Sequence, residues 1–392
     1  MAYRKFSADN LFTGYEMLGK AWVLITDEMG KVDGIVDLAE AGEGIENFNG
    51  TLTPGFVNCH CHLELSHLKG LIPKGTGMVP FLLAIMKNRN FPSVSDEIAE
   101  AEKKMLESGI VAVGDICNTS HTIAQKQQEN IHYHNFIEAT GFVDATAAQR
   151  FGQALEVCEK FDDVLGLKSD STIVPHAPYS VSSSLFGLID KHEKNSLLTI
   201  HNQESHEENE LFQHASGEFL ELYKTIGIDI PAFKKTGKTS IQSYLNKIGK
   251  HHSMILVHNT VTSQQDLDWV LDNKSFLPEL SWCICPNANL YINNMLTDVP
   301  MLQRAGCKIV VGTDSLASND QLNIIEELKT IQVRFPSFPI SELLKWATIN
   351  GAEALRINDK YGSFDKGKTP GVVLVENILN GSLPDASSVR IL

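Results

Sequence analysis

The chain lacks the features that mark secreted, membrane-spanning and nucleic-acid-binding proteins. It has only seven cysteines in 392 residues, an odd number without a C-x-x-C pair, so neither a disulfide framework nor a zinc ribbon is predicted. No run approaches the roughly 20 apolar residues of a membrane span, and no apolar stretch follows the first charged residues as in a secretory signal. The formal charge of −15 disfavours binding to nucleic acid or anionic lipid. We therefore expect a cytoplasmic enzyme that acts on a small molecule.

Eight short apolar runs recur through the middle of the chain, and helix-compatible segments separate many of them. The runs cover residues 55–60, 110–115, 134–138, 172–176, 197–201, 254–258, 281–286 and 309–314. Nearly continuous apolar runs are typical of parallel strands that are buried on both faces. Eight such strands alternating with helices predict an α/β fold, a (β/α)8 TIM barrel over residues 54–357. An open doubly wound sheet is the alternative, but it usually has fewer strands and a glycine-rich phosphate turn.

The two ends of the chain follow a different pattern. Residues 1–53 and 358–392 contain short β-compatible stretches, such as Trp22–Thr26 and Gly371–Val375, which are interrupted by glycine, asparagine and aspartate. We interpret the two ends as one small β-sandwich domain that flanks the barrel. Two unrelated terminal caps are the alternative interpretation.

Most of the apolar runs end at a residue that can bind a metal or transfer a proton. These residues are His60 and His62 after the first run, followed by Asp115, Glu138, His176, His201, His258 and Asp314. The carboxyl ends of the strands carry the active site in a (β/α)8 barrel. The pattern therefore predicts that these side chains converge on one centre.

A metal site is the chemistry that these residues favour. His60 and His62 are two positions apart in a strand, so both imidazoles face the same side. His201 ends a later strand and Glu204 follows it three residues on, while Asp314 can supply an oxygen ligand. Three imidazoles and a carboxylate suit one divalent zinc ion with an open position for water, and iron or manganese would also fit. For Glu204, capping of the next helix is the alternative role.

These motifs resemble those of the amidohydrolase superfamily, and within it the deaminase and chlorohydrolase branch. The resemblance rests on Pro54–His62, His201-x-x-Glu204, His258 and Gly312–Asp314, and it extends to Ala347–Leu355 and Gly367–Gly371. It implies that His60, His62, His201 and Asp314 bind the metal and that Glu204, His258 and Asp314 act in catalysis. Binuclear members carry a lysine where this chain has His176, so the resemblance implies a mononuclear site and deamination.

The residues after the first strand narrow the resemblance to one substrate. The pattern H-x-H-L-E-x-S at His60–Ser66, together with Pro175–Ser182, is similar to aminodeoxyfutalosine deaminases, which convert 6-amino-6-deoxyfutalosine to futalosine and ammonia in menaquinone biosynthesis. We expect contacts to this aminopurine nucleoside from Glu64, Ser66, Arg150, His176 and Ser318. Arg150 is the candidate for the benzoate carboxylate, although an ordinary exposed arginine is the alternative. For His176 the alternative is a core histidine.

Several other activities share such a metal centre. Deaminases of S-adenosylhomocysteine, methylthioadenosine or guanine and triazine-type chlorohydrolases are the enzymatic alternatives. A cytidine-deaminase site is excluded because His62-Leu63-Glu64 has no P-C-x-x-C partner in the sequence. An inactive barrel scaffold is the non-enzymatic alternative, but such a protein should have lost ligands and none is missing here. A homodimer is expected only because dimers are common.

Overall fold

The strands form one mixed sheet from both ends of the chain and two parallel sheets from the residues between them. A computed structural model describes residues 3–90, 94–166, 170–228, 230, 233–378 and 381–392. Among these residues, no helix has the length and apolar character that crossing a membrane requires. The cytoplasmic location and the homodimer stay predictions.

The described strands and helices alternate through the middle of the chain. The strands are β1 Tyr3–Phe12, β2 Met17–Gly19, β3 Trp22–Asp27, β4 Val32–Asp37, β5 Ile45–Pro54, β6 Phe56–Cys61, β7 Ile110–Cys117, β8 His132–Ala139, β9 Asp170–Pro175, β10 Leu197–Asn202, β11 Ser253–His258, β12 Glu279–Ile284, β13 Lys308–Val311, β14 Val372–Glu376 and β15 Ser387–Arg390. The α-helices are α1 Met78–Asn88, α2 Ser95–Glu107, α3 Ile123–Lys126, α4 Ala147–Leu165, α5 Ser183–Asp190, α6 His206–His214, α7 Glu218–Thr225, α8 Ser240–Tyr244, α9 Gln264–Asn273, α10 Pro286–Asn293, α11 Val299–Arg304, α12 Ile324–Arg334, α13 Ile340–Ala347 and α14 Ile349–Ala354. A 3₁₀ helix, Leu63–Leu68, follows β6.

The terminal sheet joins the first and last strands of the chain. Its order is β15-β14-β5-β1-β3-β4, with β2 paired to β1, and only the β1–β5 pair is parallel. Phe6, Leu24, Leu52 and Leu374 from this sheet pack with Phe364 in a small core of their own. The two ends of the chain therefore meet in one β structure, which fits the predicted terminal β domain. The exact domain boundaries stay a prediction.

The two parallel sheets contain β6–β9 and β10–β13, each in chain order. These eight strands coincide with the eight apolar runs, and every neighbouring pair is parallel as predicted. All residues of β6 and β7 are buried, which explains why the runs are apolar almost throughout. One large apolar core joins the strands to helices, for example through Phe136, Phe161 and Trp346.

Backbone contacts also join the edges of the two parallel sheets. At one edge the carbonyl of His60 accepts hydrogen bonds from the N–H groups of Thr313 and Asp314, at 3.0 and 3.1 Å. At the other edge the N–H of His201 donates to the carbonyl of His176 at 2.9 Å. Four of these five residues were predicted to lie at strand ends, so the contacts between the sheets occur where the candidate active-site residues lie.

Candidate metal centre and active site

Five polar side chains from the ends of four parallel strands converge in the interior. The Nε2 atom of His62 lies 3.2 Å from Nε2 of His201 and 3.3 Å from Oδ1 of Asp314, and Nε2 of His60 lies 3.5 Å from the same oxygen. One donor atom each from His60, His201, His258 and Asp314 lies within 4.8 Å of the other three. All five side chains are buried. We refer to these five residues as the donor cluster.

The geometry offers two overlapping sets of four donors. The sequence predicts His60, His62, His201 and Asp314 as ligands and His258 as a catalytic partner. The four residues whose donor atoms all lie close to one another contain His258 in place of His62. Because Nε2 of His62 is close to both His201 and Asp314, the predicted set is also compact. The division of roles between His62 and His258 therefore stays a prediction.

Hydrogen bonds and burial leave the imidazoles ready to act as ligands. Burial lowers the pKa of His201 to about 3 and that of His258 to about 4, so both rings are neutral near pH 7. Nδ1 of His201 donates to the carbonyl oxygen of His176 at 2.8 Å, and Nδ1 of His258 donates to Oδ1 of Asn289 at 2.8 Å. Each Nε2 consequently carries the lone pair that a metal needs.

The donor cluster fits a divalent cation better than it fits a set of protein hydrogen bonds. Both ring nitrogens of His60 and Nε2 of His258 are buried without a hydrogen-bond partner among the described residues. Burial alone would raise the pKa of Asp314, but contact with His60 and the field of His62 hold it below its ordinary value, so the group is a carboxylate. Unpaired buried nitrogens are costly, and a metal bound by neutral imidazoles and one carboxylate would satisfy them.

The backbone around the donor cluster is held in unusual conformations. His258, Asn259 and Asp314 have φ values of 74°, 58° and 56°, in the left-handed region that residues other than glycine rarely adopt. Position 312 requires glycine because a Cβ atom there would lie 2.8 Å from Cβ of His60. Strained residues of this kind persist only where the surroundings fix them, which is common at functional sites.

Glu204 lies beside the donor cluster, as the sequence predicts. Its Oε1 atom is 3.5 Å from Nε2 of His258, and the side chain is buried. Burial and then the negative charges of Asp314 and Glu208 raise its pKa well above the ordinary value. The raised pKa makes this carboxylate a stronger base than an exposed glutamate, which suits a group that accepts a proton and returns it.

Glu208, in the first turn of α6, stabilises the turn that precedes this helix and carries Glu204. The carboxylate of Glu208 accepts hydrogen bonds from the backbone N–H groups of Gln203, at 3.0 Å, and Glu204, at 3.3 Å, and from the hydroxyl of Ser240. Gln203 has a φ of 45°, so this carboxylate stabilises a strained turn that presents Glu204. Sequence reasoning missed Glu208, because a glutamate in the first turn of a helix is ordinary.

We expect Glu208→Gln to lower kcat by about 10-fold, because glutamine keeps only one acceptor oxygen. The loss of one hydrogen bond, worth about 0.5–1.5 kcal/mol, would loosen the turn at Glu204. KM and metal content should change much less. Glu207→Gln, one position earlier in α6, is the matched control. Steady-state kinetics with melting curves for both variants would check this, and equal kcat values in the two variants would contradict it.

A cavity of about 810 Å³ opens next to the donor cluster. Glu138 and His176 line its inner side, where Oε1 of Glu138 is 3.5 Å from Nδ1 of His201 and the rings of His176 and His201 are 4.8 Å apart. Its walls are mainly apolar, with Leu82, Phe142, Tyr179, Leu222 and Ile228 among them, and they also include Arg89 and Arg150. The volume is within the range of sites for small molecules.

Two of the predicted substrate contacts line this cavity. Arg150 is exposed, and its guanidinium donates to Oε1 of Gln153 at 3.4 Å. His176 receives a hydrogen bond from, or donates one to, Ser180 at 2.7 Å, and burial lowers its pKa to about 4. Their roles toward a substrate stay predictions. Arg89, which follows α1, is a lining residue that no strand-end pattern could have indicated.

The other three residues that are expected to contact the substrate have hydrogen-bond partners in the protein, and their roles toward a substrate stay predictions. Glu64 accepts hydrogen bonds from the backbone N–H and the hydroxyl of Thr119, at 3.0 and 2.8 Å, and so holds a segment that lines the cavity. Ser66 donates to the carbonyl of Leu63 at 2.7 Å and lines a separate cavity. Ser318 donates to Oδ2 of Asp314 at 2.5 Å. In this arrangement Ser318 orients the carboxylate, and Glu64 and Ser66 stabilise loops.

Solved structures share this fold. Helicobacter pylori aminofutalosine deaminase in complex with methylthio-coformycin superimposes with a TM-score of 0.80 at 23% identity, covering 99% of this chain and 100% of that one. A zinc-bound adenosine deaminase from Xanthomonas campestris has a TM-score of 0.68 at 19% identity, covering 95% and 84% of the two chains.

Sequence relatives point to the same group of proteins. An adenosine deaminase of Helicobacter pylori is 28% identical over 323 residues, which are 79% of this chain and 76% of the relative. An aminodeoxyfutalosine deaminase of Nitratiruptor is 25% identical over 337 residues, which are 84% and 79% of the two chains. Residues 51–390 match the amidohydrolase family. This match spans most of the sequence, and the chain therefore belongs to the amidohydrolase family.

Proposed function

We propose that this hydrolase removes the amino group of an aminopurine nucleoside and that its substrate is 6-amino-6-deoxyfutalosine, which it converts to futalosine and ammonia. The observation that carries the proposal is the donor cluster, with a protonatable Glu204 beside it and a substrate-sized cavity adjoining it. Relatives named as adenosine and aminodeoxyfutalosine deaminases support it.

Zinc is the metal that we propose for the donor cluster, with iron and manganese as alternatives. Imidazole-rich sites with one carboxylate favour zinc, and an adenosine deaminase of the same fold has zinc bound. When bound, such an ion lowers the pKa of water enough for attack on carbon near pH 7.

We also propose that the two parallel sheets close into one (β/α)8 barrel around this site, which the contacts of His60 and His201 at the two sheet edges support.

The side chains around the donor cluster supply the proton transfers. Attack on C6 of the purine requires a proton at the adjacent ring nitrogen and another at the departing amine. Glu204 takes the proton of the attacking water and delivers it to the ring nitrogen. We assign this role to Glu204 because its carboxyl is buried, lies beside His258 and has a raised pKa. His258 accepts a hydrogen bond at Nε2 from the hydroxyl that forms at C6. Asp314 takes the proton of that hydroxyl and passes it to the amine, which leaves as ammonia when the C6–N bond breaks and the C6 carbonyl forms.

The cavity supports a substrate larger than adenosine. An aromatic arm fits the apolar walls formed by residues such as Phe142 and Leu222, and a carboxylate on that arm fits a guanidinium. Arg150 is the guanidinium that we propose for this contact. The carboxyphenyl group of aminodeoxyfutalosine has both features, whereas adenosine has neither.

Steady-state kinetics on aminodeoxyfutalosine, adenosine and S-adenosylhomocysteine test this substrate. Aminodeoxyfutalosine should have the highest kcat/KM. Arg150→Gln should lower that value by about 10-fold, the worth of one charge-assisted hydrogen bond, and leave adenosine unaffected. Arg304→Gln, at the exposed last residue of α11, is the control. A better turnover of either other nucleoside would refute the substrate but not the deaminase. Absence of ammonia release from all three, and from guanine, would refute deamination.

A further inference from the structure

A second group of metal-binding side chains lies at the opposite ends of the parallel strands. Asp190 is the last residue of α5, and His251 and His252 directly precede β11. His258 of the donor cluster ends the same strand. His258 is six positions after His252 along this extended chain, so the two places are about 20 Å apart at roughly 3.3 Å per residue. The second group is thus independent of the candidate active site.

The three side chains are arranged closely enough to share one ion. Each offers a donor atom within 4.8 Å of the other two. The rings of His251 and His252 have their centroids 3.9 Å apart, and Nε2 of His252 lies 3.2 Å from Oδ1 of Asp190. His252 is buried, and its Nδ1 atom has no hydrogen-bond partner among the described residues.

Two of the three donors are fixed by the fold, and the third is accessible. Asp190 accepts a hydrogen bond from the backbone N–H of Gly249 at 2.7 Å, and the N–H of His252 donates to the carbonyl of Gly249 at 3.2 Å. His251 is exposed. An ion could enter from solvent on the side of His251, whose exposed side chain could turn toward it with little movement of the other two donors. Two imidazoles and one carboxylate are a set that zinc, nickel and cobalt bind.

We propose that Asp190, His251 and His252 bind a second divalent transition-metal ion, which joins the end of α5 to the start of β11 and takes no part in catalysis. The proposal does not depend on the proposed function. The contact between His252 and Asp190 alone would also join these elements, so the experiment must count ions.

Equilibrium dialysis of the purified enzyme against micromolar zinc, followed by elemental analysis, tests the proposal. The unaltered enzyme should retain one more zinc ion per chain than His251→Ala, and the exposed His121→Ala should behave as the unaltered enzyme. Added zinc should raise the unfolding midpoint of the unaltered enzyme above that of His251→Ala. Equal zinc content in the unaltered enzyme and His251→Ala would overturn the second site.

Catalytic turnover separates this result from the proposed function. His251 lies outside the donor cluster and the cavity, so His251→Ala should keep the basal rate of ammonia release under any outcome of the zinc count. A cobalt-loaded enzyme gives an independent readout, because the visible absorption of cobalt changes with its ligands. Loading should produce an absorption component that His251→Ala lacks. Identical cobalt spectra for the two proteins would also overturn the proposal.

Discussion

Replacing Glu204 by glutamine is expected to lower kcat by about 10²–10⁴-fold, the usual contribution of a general acid–base group, and to leave the metal content unchanged. Glutamine has nearly the same shape but cannot take up and return a proton. The carboxyl lies 3.5 Å from His258 and is not one of the mutually close donors, so its loss should not release the ion.

Kinetics and elemental analysis on the same preparation check both parts of this prediction. Glu207→Gln is the matched control, since it makes the same substitution three residues further along the chain. Metal loss in Glu204→Gln would mean that Glu204 is a ligand. An unchanged kcat would mean that another group transfers the proton, and Glu138, at 3.5 Å from His201, would be the next candidate.

The rate of Glu204→Gln should also lose the pH dependence that Glu204 causes in the unaltered enzyme. Burial raises the pKa of this carboxyl, which keeps its protonated form present at higher pH than in an exposed glutamate. A base that must be ionised to accept a proton becomes active as the pH rises through that raised pKa. The acidic limb of the pH–rate profile should therefore disappear in the variant.

The fold was largely predictable because strands that are buried on both faces are apolar almost throughout their sequence. Each of the eight parallel strands is an apolar run, and strands such as β6 and β7 have no exposed residue that would interrupt the pattern. The edges of the two parallel sheets meet through contacts between residues far apart in the chain, such as His60 with Thr313. Such contacts leave no periodic pattern, so the arrangement of the sheet edges could not be derived from the sequence.

The donor cluster was predictable for a related reason, whereas the protein partners of the expected substrate contacts were not. Parallel strands bring their carboxyl ends together, so a histidine or aspartate at the end of an apolar run is placed near the others by topology alone. The expectation for Ser318 comes from its position four residues after Asp314, and that for Glu64 from the H-x-H-L-E-x-S pattern. In the fold these residues bind Asp314 and Thr119, because polar groups that become buried beside a site take the nearest protein partner.

Removing the metal is expected to lower ammonia release by about 10³-fold or more, because a catalytic ion contributes several kcal/mol and each 1.36 kcal/mol is a factor of ten in rate. Zinc should restore the rate. The metal-free protein should also melt at a lower temperature, since both ring nitrogens of buried His60 would lack a partner. Dialysis against a chelator, with activity and melting measured before and after zinc is added back, checks both effects.

Two variants show whether the catalytic ion is the one at the donor cluster or the one proposed at the second site. His201→Ala removes one of the mutually close donors, so this variant should lose the rate without any chelator and zinc should not restore it. His251→Ala should lose the rate on chelation and regain it with zinc, like the unaltered enzyme. Full activity of a verified metal-free preparation would contradict a metal-dependent reaction. Full activity of His201→Ala would instead place the catalytic ion outside the donor cluster.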